Sequence, residues 1–544
     1  MRTLSLPLEP LFILHTLHQQ GFEGYIVGGA VRDLLRSQNP DQALITDYDF
    51  TTNAKPEELQ SLFPESFYEN QFGTVSITKE HLWEILELPI DQMPVPPTAQ
   101  SSTKLIDLNE ATKLHQSLQT LPSYPLPTPQ WRAYEITTFR SDGSYLDHRR
   151  PETVTWGKTL SDDLSRRDFT INSMALKIDE KWLAELFAKK AEWSKNPNNI
   201  LAIPELSIEL IDPFDGQKDL EDGVIRTVGE PVKRFEEDAL RMLRAIRFSV
   251  QLNMAMTDET FAAISGLAEQ VQHVSWERIR DEFLKMISSP YPAEAIELLD
   301  ESGLLHFILP ELKEGKGVEQ GGHHTTDVWQ HSLDALATCP SQDPVVRFAT
   351  LLHDVAKPRT YNFINGQPTF HNHEIIGSRM AKDIAVRFRF SKQDIERVFL
   401  LVRYHMFYYQ PHNTDAAIRR FMRKVGLENI NDILDLREAD RLGSGARKTS
   451  WRLEEMKERM ISQLHQPFAV TDLAINGNDL MQEFQLKPGR VIGQVLQTLF
   501  EKVLEQPELN TRDQLLSLAK TLISEFSSGA SAGHHPTAAA EAQQ

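Results

Sequence analysis

GYIVGGAVRDLL, residues 24–35, and DYDFTT, residues 47–52, decide how this chain folds. Tyr25 to Val27 is an apolar run that reads as a strand, Gly28 and Gly29 read as a tight turn without side chains, and Val31 to Leu35 reads as the helix that follows. Such a turn can bring backbone N–H groups against a triphosphate. In the second segment Asp47 and Asp49 alternate with Tyr48 and Phe50, so a strand here projects both carboxylates from one face and both rings from the other. Paired carboxylates are what a pair of Mg²⁺ ions requires. A lone glycine pair is ordinarily just a turn, and a lone Asp-x-Asp a solvated edge. Found in this order, with Arg32 and Asp33 directly after the glycines, they point to nucleotidyl transfer.

The chain has 544 residues, a formal net charge of −20 and one cysteine, Cys339. That length exceeds one hydrophobic core, and roughly three or four domains are expected. A single cysteine excludes an internal disulfide and fits a reducing, cytoplasmic compartment. No apolar run approaches the roughly 20 residues of a membrane span, so no membrane association is expected. The acidic balance argues against indiscriminate polyanion binding. Basic residues nevertheless cluster at Arg241, Arg244 and Arg247, at Arg379, Lys382, Arg387 and Arg389, and at Arg419, Arg420, Arg423 and Lys424. Each cluster reads either as a solvated helix face or as a contact to a structured RNA.

Strand-like and helical patterns alternate up to about residue 180, and helices dominate beyond, which predicts an α+β head followed by all-α modules. The head spans 1–180, helices for nucleobase and RNA binding 181–300, a third module 301–450 and a C-terminal helical region 451–527. Proline-rich MPVPPTAQSST and LPSYPLPTPQ mark a loop-rich insertion over about 80–130, and SKNPNN marks a smaller one over 190–206. The tail 528–544 has almost nothing to bury and is expected to be disordered.

GGAVRD followed by DYD resembles the class II tRNA nucleotidyltransferase and poly(A) polymerase family, whose motif is GGxVRD and then DxD. The resemblance implies a polymerase-β-like head with a mixed β-sheet, and catalytic Mg²⁺ ligands at Asp47 and Asp49. In YEITTFR the alternation puts Glu135 on one face with Thr137 and Phe139, either as a third acidic group near the metals or as a strand-edge carboxylate. The family's flexible loop is matched by RSDGSYLDHRRP from Arg140. In SRRDFTINSMAL, Asp168 and Asn172 stand at i and i+4, on one face of a predicted helix, with Arg166 and Arg167 at its start. Asp168 alone would be a helix N-cap. The whole string, however, matches the family's RRDFTxNxMA, in which aspartate and asparagine recognise ribose and the arginines approach phosphates.

DPFDGQKDLEDGVIRTVG resembles the family's hinge, and RFEEDALRMLRAIRF follows it. Asp238 and Arg241 could be a helix-surface ion pair. Alternatively, a carboxylate beside a guanidinium complements the amine and ring nitrogen of C and A while opposing G and U. Glu237, Asp238 and Arg241 match the family's EDxxR, which is described in these terms, and Arg244 joins the nucleotide-binding group. Glu277 and Arg278 match the next motif, on a helix expected to buttress the pair.

A second constellation runs through His331, His353, Asp354 and Asp440, which can converge on one divalent ion, while His373 and His405 could hold another. It resembles the HD phosphohydrolase superfamily, through DVWQH and LLHDVAKP, and implies Mg²⁺, Mn²⁺, Ni²⁺ or Co²⁺. The resemblances together imply an enzyme that adds CCA to the tRNA 3′ end from CTP and ATP. Poly(A) synthesis and partial CC- or A-addition stay open within the class. A phosphohydrolase or RNA-binding regulator with a relic head is the alternative of a different class.

Overall fold

The computed structural model describes residues 4–36, 47–69, 73–89, 133–142, 154–156, 159–189, 193, 201–321, 326–407, 409–410, 412–448 and 450–528. Seven strands form one sheet in the order Ile208–Ile211, Ala175–Ile178, Gly24–Val27, Asp49–Thr52, Tyr134–Thr138, Thr74–Ile77 and Phe67–Glu69. Asp49–Thr52 and Tyr134–Thr138 run parallel, while the other neighbours are antiparallel, so the sheet is mixed as expected.

The period of two divides this sheet chemically. Ile26, Phe50, Ile136, Val75, Ile77, Leu176 and Ile178 enter the main core, where Leu11, Leu14 and Leu17 of helix Leu8–Gln19 and Leu183 of helix Glu180–Ala188 cover them. Tyr25, Val27, Ala175 and Phe139 turn to the opposite face and meet Leu160 and Leu164 of the short helix Leu160–Ser165. Asp49 and Glu135, which alternate with Phe50 and Ile136, share that second face.

The sheet does not stop at residue 180, where the sequence placed the end of the head. Ile208–Ile211 pairs with Ala175–Ile178 through four register partners and forms an edge of the sheet, because its apolar Ile208 completes the core. The start of the expected 80–130 insertion is ordered: helix Lys79–Ile85 is capped by Thr78, and its buried Trp83 donates from Nε1 to Glu9 at 2.7 Å. The remainder of that insertion, most of 190–206, the segment 143–151 of the expected flexible loop and the tail from 529 lie outside the described residues.

After the head come helices Pro231–Glu237, Leu240–Leu252, Asp258–Leu267, Trp276–Ile287 and Pro292–Glu301. Phe283, Phe348 and Phe388 stack edge-on with ring centroids 5.3–6.1 Å apart, so helix Trp276–Ile287 shares a core with Pro344–Leu352 and with the end of His373–Arg387. The expected boundary at 300 therefore crosses a continuous apolar layer. One compact unit runs to Arg403 and takes in Ala439–Ala446, so most of the module expected over 301–450 belongs with the preceding helices. The second unit comprises Tyr404–Glu438 and residues from Arg447 onward. It has its own core of Leu480, Val495, Leu499, Phe500, Val503 and Leu515, among others. Among the described residues no helix is long and apolar enough to cross a membrane.

Candidate nucleotidyl-transfer site

Gly28 closes the first strand at φ 73°, a conformation that costs any residue with a Cβ. A Cβ built there would stand 3.0 Å from Arg167 Nη1 and 3.6 Å from Asp49 Oδ2, so turn, guanidinium and carboxylate crowd together. Asp49 is the register partner of Glu135 on the parallel neighbouring strand, and the two side chains leave the same face. Asp47 lies before the strand rather than within it, since the strand begins only at Asp49. Its alternation persists all the same: Asp47 is exposed, Tyr48 buried, Asp49 half-buried and Phe50 buried. The oxygen-only donors of Asp47, Asp49 and Glu135 fit Mg²⁺ in kind.

The RRDFTIN segment is not the expected helix. Helix Leu160–Ser165 ends at Arg166, Phe169 is extended, and only a single 3₁₀ turn, Thr170–Asn172, follows. Thr170 and Ile171 are β-branched, and Asp168 Oδ1 accepts from the following amide, Phe169 N, at 2.9 Å, which competes with helix formation. Asp168 and Asn172 meet by this other route, with Asn172 Nδ2 donating to Asp168 Oδ1 at 3.2 Å. Asn172 Oδ1 accepts from Arg32 Nη1 at 2.8 Å, and Arg244 donates through Nε at 2.7 Å and Nη2 at 2.6 Å to Asp168 Oδ2. Phe248 floors this chain of contacts, its ring 5.3 Å from the guanidinium carbons of Arg32 and Arg244 and 3.9 Å from that of Arg247. Burial pushes the Asp168 carboxyl upward, but Arg244 and then Arg241 outweigh it and hold the group down to about 2.

Arg166 and Arg167 are fixed by a residue that the sequence reading passed over. Asp163 is fully buried and accepts from Arg166 Nε at 3.0 Å and from Arg167 Nη2 at 3.2 Å. Burial raises its carboxyl, and Arg167 and Arg166 together bring it below its ordinary value. Its spacing of three and four residues before the arginines is a legible signal. Phe248, four residues after Arg244, could have been found in the same way.

Asp238 and Arg241 are not an ion pair with one another. The chain leaves helix Pro231–Glu237 at Asp238, with φ −149°, and begins a new helix at Leu240, so Asp238 stands outside the helix that carries Arg241. Asp238 instead takes Arg278, Nη2 to Oδ2 at 2.7 Å and Nη1 to Oδ1 at 3.2 Å, and its Oδ1 accepts from Leu240 N at 3.1 Å. The expected buttress thus acts on the aspartate alone. Arg241 pairs with Glu237 and donates to the backbone carbonyls of Arg234 at 3.1 Å and Arg166 at 3.0 Å, tying it to the segment that carries Arg166 and Arg167.

The basic clusters are largely consumed inside the protein. Arg247 pairs with the buried Glu282, and Arg387 grips Glu311 at 2.7 and 2.8 Å. In the second unit Arg419 is buried on Leu504 O at 2.8 Å, while Arg420 and Arg423 pair with Glu505 and Glu501.

The histidine constellation assembles as expected in its first part. His331 and His353 approach Nε2 to Nε2 at 3.1 Å, and Asp440 Oδ1 lies 3.3 Å from the first and 3.7 Å from the second. These three, all buried, are grouped closely enough to hold one ion. Gly443 makes this approach possible, because a Cβ there would fall 2.6 Å from Ala335 N on the helix carrying His331. Asp354 reaches His331 at 3.3 Å, His353 at 3.2 Å and His373 at 3.4 Å, and also pairs with Lys357 at 2.7 Å. Burial raises the Asp354 carboxyl, but His353 and Lys357 overcome this and hold it well below its ordinary range. Mixed imidazole and carboxylate donors fit a transition ion. His405 is buried and belongs to the second unit.

Residues 24–120 and 113–192 match the family model described as "Poly A polymerase head domain", 253–316 match "Probable RNA and SrmB- binding site of polymerase A", and 376–519 match "tRNA nucleotidyltransferase domain 2 putative". An A-adding tRNA nucleotidyltransferase of Deinococcus radiodurans is 34% identical over 357 residues, covering 63% of this chain and 75% of that enzyme. The chain belongs to the tRNA nucleotidyltransferase family. A CCA-adding enzyme of Geobacillus thermodenitrificans is 35% identical over 306 residues, and this nucleotidyltransferase spans about half of that relative's length, 55%. The fold also matches the crystal structure of the Bacillus stearothermophilus CCA-adding enzyme in complex with CTP, with a TM-score of 0.59 at 24% identity over 96% of this chain and 98% of that one.

Proposed function

We propose that the protein extends the 3′ end of tRNA by nucleotidyl transfer, adding C, C and A from CTP and ATP and releasing pyrophosphate. The observation that carries this reading is the register pairing of Asp49 with Glu135 beside the Gly28 turn, where Arg167 also arrives. Asp47, Asp49 and Glu135 would hold Mg²⁺, which, when bound, supplies the positive charge that favours attack at the α-phosphate and departure of pyrophosphate. The open Gly28–Gly29 turn admits phosphate oxygens to backbone N–H groups. Arg166 and Arg167, oriented by Asp163, face the triphosphate. Asp168 and Asn172 receive the ribose, with Arg32 and Arg244 keeping both side chains in place. Asp238, anchored by Arg278, and Arg241, anchored by Glu237, offer an acceptor and a donor to the base edge of C or A. The setting is cytoplasmic, consistent with the single buried thiol of Cys339.

The deciding experiment offers tRNAs ending before CCA, after C and after CC, each with one labelled nucleotide and Mg²⁺. Sequential C, C and A supports the reading, and long A tracts would replace it with poly(A) synthesis. Labelling only of the CC-ending tRNA would establish A-addition, a second reading favoured by the likeness to the Deinococcus enzyme. The His331, His353 and Asp440 group, with Asp354 and His373 beside it, favours an additional metal-dependent phosphohydrolase activity in the same chain. Phosphomonoesters and 2′,3′-cyclic phosphates with Mg²⁺, Mn²⁺, Ni²⁺ or Co²⁺ test it.

A further inference from the structure

Far along the chain from the histidine cluster, a third group of ligand-type side chains comes together within the head. His81 Nδ1 lies 3.6 Å from Glu65 Oε2 and 3.7 Å from Glu84 Oε2, and the ligand atoms of the three residues all fall within 4.8 Å of one another. Both carboxylates are largely exposed, whereas both ring nitrogens of His81 are shut off from water and have no hydrogen-bond partner. An imidazole held between two acceptors would ordinarily donate to one of them at 2.7–3.2 Å, and leaving a buried polar nitrogen unpaired is unfavourable. Separations of 3.6 and 3.7 Å are too long for that bond. They suit a nitrogen and an oxygen bound to a common ion, since bonds of about 2.1 Å then subtend an angle of about 120°.

We propose that Glu65, His81 and Glu84 bind one divalent transition-metal ion of the Zn²⁺ class. One imidazole and two carboxylates are the donors of a borderline ion, not of Mg²⁺, which favours oxygen alone. Water completes the coordination from the exposed side. The protein half of the site is pre-organised: Thr78 caps the helix by accepting from His81 N at 3.2 Å, and the buried Leu82 and Trp83 pin its next two residues. Glu84 follows His81 at i+3 on the same helix face, and Glu65 arrives from the turn after helix Pro56–Leu62. The ion therefore clips that turn to helix Lys79–Ile85. The site uses none of the residues assigned to nucleotidyl transfer, so its fate does not depend on that assignment.

The test uses the full-length protein, stripped of metal and supplied with saturating Mg²⁺, titrated calorimetrically with Zn²⁺ and followed by visible absorption with Co²⁺. Wild type is compared with Glu65→Gln, an exposed position that leaves folding intact, and with His81→Ala. The other histidine cluster contributes equally to all three proteins and cancels in the difference. The expected result is one fewer equivalent of Zn²⁺ in each variant, loss of one Co²⁺ absorption component and unchanged Mg²⁺-dependent nucleotide addition. Equal stoichiometry and identical Co²⁺ spectra in wild type and Glu65→Gln would overturn the proposal.

Discussion

Replacing Arg244 with Met tests whether Asp168 is held as an anion by helix Leu240–Leu252. Arg244 gives Asp168 two hydrogen bonds, at 2.7 and 2.6 Å, and the aspartate is almost wholly buried. Its carboxyl lies at about 2 against an ordinary 3.8. At roughly 1.4 kcal/mol per unit this shift is on the order of 2 kcal/mol of native stability at neutral pH. Removing one partner of a buried pair commonly costs about 3–5 kcal/mol, but Arg244 keeps a third of its side chain in solvent, which argues for the lower side. We expect Arg244→Met to lose about 2–3 kcal/mol at pH 7. The sign follows from a depressed native value. The stabilisation is complete above about pH 4 and disappears as the pH falls toward 2, so the gap between wild type and variant closes over that interval. Urea unfolding at a series of pH values measures it. A double variant, Asp168→Asn with Arg244→Met, should be more stable than Arg244→Met alone, because no buried charge is then stranded. A loss below about 0.5 kcal/mol, a gap that ignores pH, or additive losses in the double variant would refute the reasoning.

Other substitutions separate the remaining roles. Asp47→Asn and Asp49→Asn should each abolish incorporation of C and A while tRNA binding, measured by filter retention, stays near wild type; normal turnover in either removes it from the metal site. Gly28→Ala forces a Cβ against Arg167 at φ 73°. It should cost about 1–2 kcal/mol and slow nucleotide addition about tenfold or more, as read by single-turnover kinetics. Arg241→Ala should relax selection against UTP and GTP more than it weakens triphosphate binding, whereas a fall in stability with unchanged selectivity would leave Arg241 only its contacts to Glu237, Arg166 and Arg234. His353→Ala should remove any phosphomonoester or cyclic-phosphate hydrolysis and spare nucleotide addition; loss of both in a folded variant would tie the histidine cluster to the head.

The legibility of these sites in the sequence follows the range of the contacts that make them. Strand, glycine turn and helix at 24–36 were readable because each step is local: an apolar run, a φ open only to glycine, an amphipathic helix. The pairing of Asp49 with Glu135 was not, because the two strands are joined through a long intervening segment and register is settled by which side chains share the core. The same logic explains the two misread geometries. Spacing i,i+4 between Asp168 and Asn172 suggested a helix, yet a 3₁₀ turn brings the same side chains together once Arg32 and Arg244, from distant segments, take hold of them. Spacing i,i+3 between Asp238 and Arg241 suggested a pair, yet Arg278, forty residues on, offers the carboxylate two hydrogen bonds that a broken helix denies to Arg241. Motif spacing therefore reports that residues serve one site while leaving open the backbone that unites them. Gly443 shows the limit most clearly: no motif marks it, although the candidate ligand Asp440 is only three residues away, and any side chain there would keep the helix bearing Asp440 from approaching the one bearing His331.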